Sequence, residues 1–172
     1  MQNMLLTPHF ALLEFTESAT AKKRGIDNSP SAEAVVNLMR LCQHTLEPLR
    51  ETLGLPVVIT SGYRCQRLND IISHSSERSQ HMQGKAADFY IGWSAKLNGR
   101  GQSGDDLPRE RLLKAFKLII SSEAIDYDQL ILYPSFIHVS YLSHDKNRHK
   151  IATANGQGTY CAVTREDALK LL

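Results

Sequence analysis

Cysteine is scarce in this chain and poorly arranged for cross-linking. Cys42, Cys65 and Cys161 are odd in number, widely spaced and contain no C-x-x-C pair, which favours free thiols over a disulfide frame. Net charge is also small. Twenty Lys and Arg against eighteen Asp and Glu leave +2, too little to argue for a nucleic-acid partner. No apolar run approaches the roughly 18 residues of a membrane span, so no membrane insertion is expected. Met1 to Phe15 contains Leu5, Leu6, Leu12 and Leu13, but it lacks a basic beginning and is interrupted by His9 and Glu14. It makes a poor secretory signal, and the expectation is a soluble chain synthesised in the cytoplasm. Internal repeats and domain linkers are missing as well. With 172 residues, 42% of them hydrophobic and 22% charged, one domain spanning 1–172 is expected, monomeric and able to bury a real core.

What the chain does have is concentrated between Ser61 and Asp88. This stretch opens with S-G-Y-R-C-Q-R-L-N-D and closes with S-Q-H-M-Q-G-K-A-A-D. His81 supplies a neutral imidazole, and Asp88, emerging seven residues later from a short strand, supplies a hard anionic oxygen; together they suit zinc. Gly84, between the two, marks a place where the chain needs a positive φ or a close approach. Two ligands are too few, since a catalytic zinc usually has three protein ligands and an open position. Downstream, F-I-H-V-S-Y alternates in the manner of a strand and carries His138, which completes a His81, Asp88, His138 set. His9, His44, His74, His144 and His149 lack such a constellation and read as structural or solvated.

The surrounding pattern places these motifs on elements. Ser29 and Pro30 read as the cap and first residue of a helix whose apolar positions run Val35, Leu38, Met39, Cys42, Leu46, Leu49 and Leu53. Pro48 is expected to kink or divide it, and Gly54 to end it. Pro56 to Thr60 reads as a strand, and the turn after it delivers Arg64. Cys65 to Ser73 reads as a helix with Leu68, Ile71 and Ile72 inward and Cys65 as a small buried residue. A polar loop from His74 to Gln80 and a strand over Ala86 to Ile91 follow. Gly92 to Leu107, rich in Gly, Ser and Asn, reads as a long loop, either simply solvated or an active-site lid. Pro108 to Ser121 has the period of an amphipathic helix. Asp128 to Leu132 and Phe136 to Tyr141 form a hairpin around Tyr133-Pro134-Ser135, and a strand over Tyr160 to Val163 and a helix over Arg165 to Leu172 close the chain. Lys146, Arg148 and Lys150, with His144 and His149, read as a solvated basic loop; attraction to an anionic wall polymer and a packed role for Arg148 are the alternatives.

These residues also resemble a family. S-G-Y-R, S-x-H-x-x-G-x-A-x-D and I-H-V-S are similar to motifs of the zinc D-Ala-D-Ala carboxypeptidases and murein endopeptidases, whose fold is shared with lysostaphin-type enzymes and the hedgehog signalling domain. The resemblance begins at L-T-P-H-F-x-L-x-E-F (Leu6 to Phe15) and G-I-D-N (Gly25 to Asn28) and runs to about Arg148. It implies an α+β fold with a small antiparallel sheet that carries the zinc site between flanking helices. It further implies His81, Asp88 and His138 as Zn2+ ligands, Arg64 facing a substrate carboxylate or oxyanion, and Ser79 as a polar site residue. The implied substrate is peptidoglycan or a muropeptide, cut as a carboxypeptidase or an endopeptidase, and reached either by release to the wall through a phage or prophage route or as imported wall fragments.

One part of the pattern is missing. Zinc hydrolysis usually has a nearby carboxylate to move the proton, and relatives carry an acid three positions before the last histidine or on the strand leading to it. Here Ser135 stands at minus three and the strand ends in Tyr133. A symmetric turn places Ile131 opposite His138, so Gln129, Ile131 and Tyr133 share the face of His138 while Asp128 points away, unless a bulge intervenes. Tyr133, with a reference pKa near 10, is a poor base but can donate a hydrogen bond. Three readings follow: Asp126 or Asp128 reaches the site through irregular backbone, Glu77 or Glu123 substitutes, or the protein is a zinc-containing wall-binding module with little turnover.

Overall fold

A computed structural model describes residues 4–72, 76–92, 108–155 and 159–171. It is an α+β protein. A short pair of strands, β1 (Leu5–Thr7) and β2 (Phe10–Ala11), leads into α1 (Leu12–Thr16) and α2 (Ala19–Arg24). The long helix, α3 (Ala32–Leu41), starts two residues later than its sequence suggests. Ser29 is drawn into a turn in which its N–H and hydroxyl both donate to Asp27 Oδ1, at 2.9 and 2.6 Å. Ser31 therefore caps the helix, its hydroxyl accepting the Ala34 N–H. Ahead of Pro48 the helix widens through a π turn, Cys42–Leu46, before α4 (Glu47–Leu53) resumes. The Glu47 N–H reaches back five residues to the Cys42 carbonyl. A proline near the start of the next segment loses no bond there, so it divides the helix without breaking it.

The main sheet has six strands: β3 (Val57–Ser61), β4 (Ala86–Ile91), β5 (Gln129–Leu132), β6 (Ile137–Ser140), β7 (Lys150–Ala154) and β8 (Tyr160–Ala162). Their order is β3-β4-β6-β5-β7-β8, antiparallel throughout except for the parallel pair β5 and β7. The sheet is thus larger than the small antiparallel one expected, and mixed. The excess comes from β7, whose K-I-A-T-A has one large apolar residue between a lysine and two alanines and follows directly on the basic loop, too little to announce a strand. Alternation sorts the two faces. Ala87, Phe89, Ile91, Leu130, Leu132, Ile137, Val139 and Ile151 point into a hydrophobic cluster with Leu38, Leu41, Leu46 and Leu49 and with Leu112, Phe116 and Ile119 of α6 (Pro108–Ser121). The opposite face carries Asp88 and His138.

The segment Leu142–His149 carries the chain from β6 across the start of β5 into β7, and two acids pin it. Asp128, fully buried, accepts from Arg148 Nε at 2.7 Å, the Arg148 N–H at 3.0 Å, Gln80 Nε2 at 2.9 Å and the Ser140 hydroxyl at 3.3 Å. Burial raises its carboxyl, but the bonds from Arg148 and Gln80 outweigh this and hold it down at about 2. Asp126 lies between His149 at 2.9 Å and His144 at 3.2 Å. The basic loop of the sequence is therefore in part a packed structure, with Arg148 as its anchor.

Two short helices complete the chain, α5 (Gln66–Ile71) and α7 (Arg165–Leu169). In α5, Leu68 is buried as expected, whereas Ile71, the last residue of the helix, is exposed. Cys65 is only half-buried, as the residue before α5; Cys42 is buried, Cys161 is exposed, and all three are free. His74 and the expected loop up to Leu107, beyond Gly92, lie outside the described residues.

Candidate metal centre

Three separate elements converge on one point, each locked by a contact that explains the local sequence. The 3-10 turn Gln80–Gln83 presents His81. It is pressed against α3: Asn37 Nδ2 donates to the Gln83 carbonyl at 2.9 Å, and Gly84 follows at φ +67°. A Cβ on Gly84 would lie 2.3 Å from the Ala34 carbonyl oxygen, so both reasons for glycine apply, positive φ and close approach. β4 presents Asp88, and β6 pairs with it so that Asp88 and His138 are directly opposite. Ile131 lies opposite His138 on the other side, the register that strand parity predicts.

Ser61-Gly62-Tyr63-Arg64 is the brace. A Cβ on Gly62 would sit 2.6 Å from Phe15 Cα, and the Tyr63 N–H donates to the Phe15 carbonyl at 2.7 Å. Asn28 clamps the turn from the other side. Its Nδ2 donates to the Thr16 and Tyr63 carbonyls at 2.9 and 3.0 Å, and its Oδ1 accepts the Cys65 N–H at 2.8 Å. The Gly62 carbonyl then accepts from His81 Nδ1 at 2.7 Å. That bond settles the tautomer, because Nδ1 holds the proton and Nε2 keeps its lone pair for the centre.

The donor atoms of His81, Asp88 and His138 all lie within 4.8 Å of one another, alone among the described residues in forming such a group. His81 Nε2 is 3.3 Å from both His138 Nδ1 and Asp88 Oδ1, and His138 Nδ1 is 2.7 Å from Asp88 Oδ1. Tetrahedral bonds of about 2.0–2.1 Å put neighbouring ligand atoms about 3.3 Å apart; both separations from His81 Nε2 match this, His138 Nδ1 and Asp88 Oδ1 are closer, and the two-nitrogen, one-oxygen set suits zinc in donor type. Electrostatics agree. Burial lowers the His81 imidazole and keeps it neutral, though the charge of Asp88 opposes this. Burial works against the Asp88 carboxylate, but its contacts with His81 and His138 prevail and hold its carboxyl far below the usual range.

Arg64 reaches the same centre. Its Nη2 donates to Asp88 Oδ2 at 3.0 Å and to the Ser61 hydroxyl at 2.9 Å, while Nε donates to the same hydroxyl at 3.1 Å. The guanidinium thus orients the outer oxygen of Asp88 and leaves Oδ1 to the histidines. Ser79 is half-buried and stands just ahead of the turn that carries His81. Tyr133, beyond the end of β5, has its ring stacked on Phe136 at 4.1 Å and its hydroxyl 2.7 Å from that of Tyr160. Burial, the bond to Tyr160 and the nearby Asp88 charge raise its phenol well above the ordinary range, so it is a donor and no base at neutral pH.

None of the acids considered joins the group formed by His81, Asp88 and His138. Asp128 and Asp126 are engaged by Arg148 and by His144 and His149, and Glu77 and Glu123 are exposed. Sequence reasoning also assigned no role to Asn28 or Tyr160. G-I-D-N marked the first only as part of a motif, and no local pattern marks the second.

The sequence model described as Peptidase M15 matches residues 8–97, more than half of the chain. The chain belongs to the peptidase M15 family. Within the match lie Asn28, Arg64, Ser79, His81 and Asp88; Tyr133 and His138 lie beyond it, and the pairing of β6 with β4 sets His138 opposite Asp88. No curated protein is matched by the chain.

Proposed function

We propose that this member of the M15 family is a zinc-dependent hydrolase of peptide bonds in peptidoglycan stem peptides, acting as a D,D-carboxypeptidase or a murein endopeptidase. The observation that carries the reading is the convergence of His81 Nε2, His138 Nδ1 and Asp88 Oδ1 on one point, with the tautomer of His81 fixed from behind. Bound there, zinc would polarise the scissile carbonyl and bring the pKa of a water close to 7. The chain's own residues do the rest. Arg64 holds Asp88 and offers its remaining N–H groups to an anionic substrate group. Tyr133 donates a hydrogen bond to the substrate oxygen that gains charge, and Ser79 supplies a further one. The working unit is a monomer, and it reaches the wall through a phage or prophage release route.

Elemental analysis and release of fragments from purified murein test this together. One zinc per chain with cleavage stopped by EDTA is expected, and His81→Ala should lose both. Cleavage undiminished in that variant would sink the mechanism.

A second reading has its own support. Apart from Asp88, no described carboxylate touches the cluster, and Tyr133 stays protonated. On this reading the protein is a wall-binding module in which zinc stabilises the fold. Retention on murein without released fragments, together with zinc-dependent melting, would favour it. Gain of cleavage in Tyr133→Glu would identify what the natural sequence lacks.

A further inference from the structure

We infer that Tyr160, from the C-terminal edge strand, is a positioning residue for Tyr133. The inference rests on the peptidase reading above and adds a part of the chain that lies well outside the segment matched by the family.

Tyr160 opens β8, where it sits opposite Ala154, and β8 reaches the rest of the sheet only through β7. An edge-strand tyrosine that is 52% exposed would ordinarily be a solvated side chain. Here its hydroxyl lies 2.7 Å from that of Tyr133, and its ring meets the Tyr133 ring edge-on, 6.1 Å between centroids and 88° between planes. Phe136 covers a face of the Tyr133 ring at 4.1 Å and 13°, and the Tyr133 carbonyl accepts from Arg109 Nη1 at 2.7 Å. Tyr133 is therefore fixed at its backbone, its ring face, its ring edge and its hydroxyl. Of these contacts only the last bears on the proton it would give.

A phenol has one proton to donate. If Tyr133 gives it to Tyr160, none remains for a substrate. If Tyr160 donates instead, the Tyr133 proton is free to turn towards the centre, and accepting a hydrogen bond makes it a stronger donor. A substrate oxygen beside Tyr133 selects the second arrangement. Tyr160 then does two things without touching the substrate: it holds the Tyr133 hydroxyl in place and strengthens the bond that this hydroxyl makes as charge develops. Its influence belongs in turnover and not in ground-state binding.

The test compares Tyr160→Phe, Tyr133→Phe and the double variant, each loaded with zinc and assayed on a synthetic stem peptide ending in D-Ala-D-Ala and on purified murein. Tyr160→Phe should lower kcat about 5- to 20-fold with KM within about twofold, and the double variant should be no slower than Tyr133→Phe alone. A second readout needs no substrate. The alkaline absorbance change of wild type minus Tyr133→Phe isolates one of the six tyrosines. The same difference for Tyr160→Phe and the double variant should be displaced along the pH axis, because the Tyr133 phenol then ionises without the Tyr160 hydroxyl beside it. Tyr160→Phe that turns over like a cleaving wild type, effects that multiply in the double variant, or an ionisation curve that does not move would each overturn the positioning role. A wild-type chain that never cleaves removes the peptidase reading, and the catalytic use of the pair with it.

Discussion

Gly84→Ala is the most severe small change the site offers. The added methyl meets the Ala34 carbonyl oxygen at 2.3 Å in a backbone at φ +67°. Strain of this kind costs about 1–3 kcal/mol before the clash is counted, so a loss of about 3 kcal/mol in denaturant unfolding is expected, with zinc affinity falling alongside it. Arg64→Lys probes a different quality. Lysine keeps the charge near Asp88 but loses the fork that joins Asp88 Oδ2 to Ser61. Removing a partner that orients a metal ligand typically costs about 10- to 100-fold in affinity, which competition with a chromophoric chelator would measure directly. Retained affinity in this variant would mean that Arg64 serves the substrate alone.

The connection into β7 shows how an element the sequence hardly announces is held. Asp128→Asn should remove the ion pair with Arg148 and destabilise the protein by about 2–4 kcal/mol, read from thermal or urea melts. The pH dependence follows from the same carboxyl. Folded, it takes its proton only near pH 2; unfolded, near 3.8. Between these values the unfolded chain binds more protons, so acid favours unfolding: the contribution is complete above about pH 4 and lost as pH falls through 2. Wild type should therefore lose stability over this range more steeply than Asp128→Asn. The elements that could be read in advance owed this to local signals. The His81, Gly84 and Asp88 spacing, the helix over Pro108–Ser121 and the parity that sets Ile131 against His138 each arise within a short span. The β7 strand, the clamp of Asn28 on Tyr63 and the pairing of Tyr160 with Tyr133 join residues 20 or more positions apart. No periodicity records such contacts.

At the scale of the whole molecule, the segment shared with the family is only part of what folds. Leu38, Leu41 and Phe89 lie within residues 8–97, yet they pack in one cluster with Leu112, Phe116, Leu130, Leu132, Ile137 and Val139 from beyond it. A chain ended at residue 97 should show no cooperative thermal transition by circular dichroism and should not hold stoichiometric zinc. A sharp melt in that fragment would show that the first half is a folding unit of its own.

The pairing of Asp88 with His138 has a consequence for how the chain reaches its native state. Side chains alternate along β6, so a slip of one residue against β4 would turn His138 into the hydrophobic layer and bring Ile137 or Val139 to the face of Asp88. Such a slipped hairpin could still bury apolar surface, but it would present two donors where the ion needs three. On the zinc reading proposed above, the ion would act as an assay of strand alignment: only the correct register would gain its binding energy, and zinc present during refolding should raise the yield of native protein at the expense of misaligned forms.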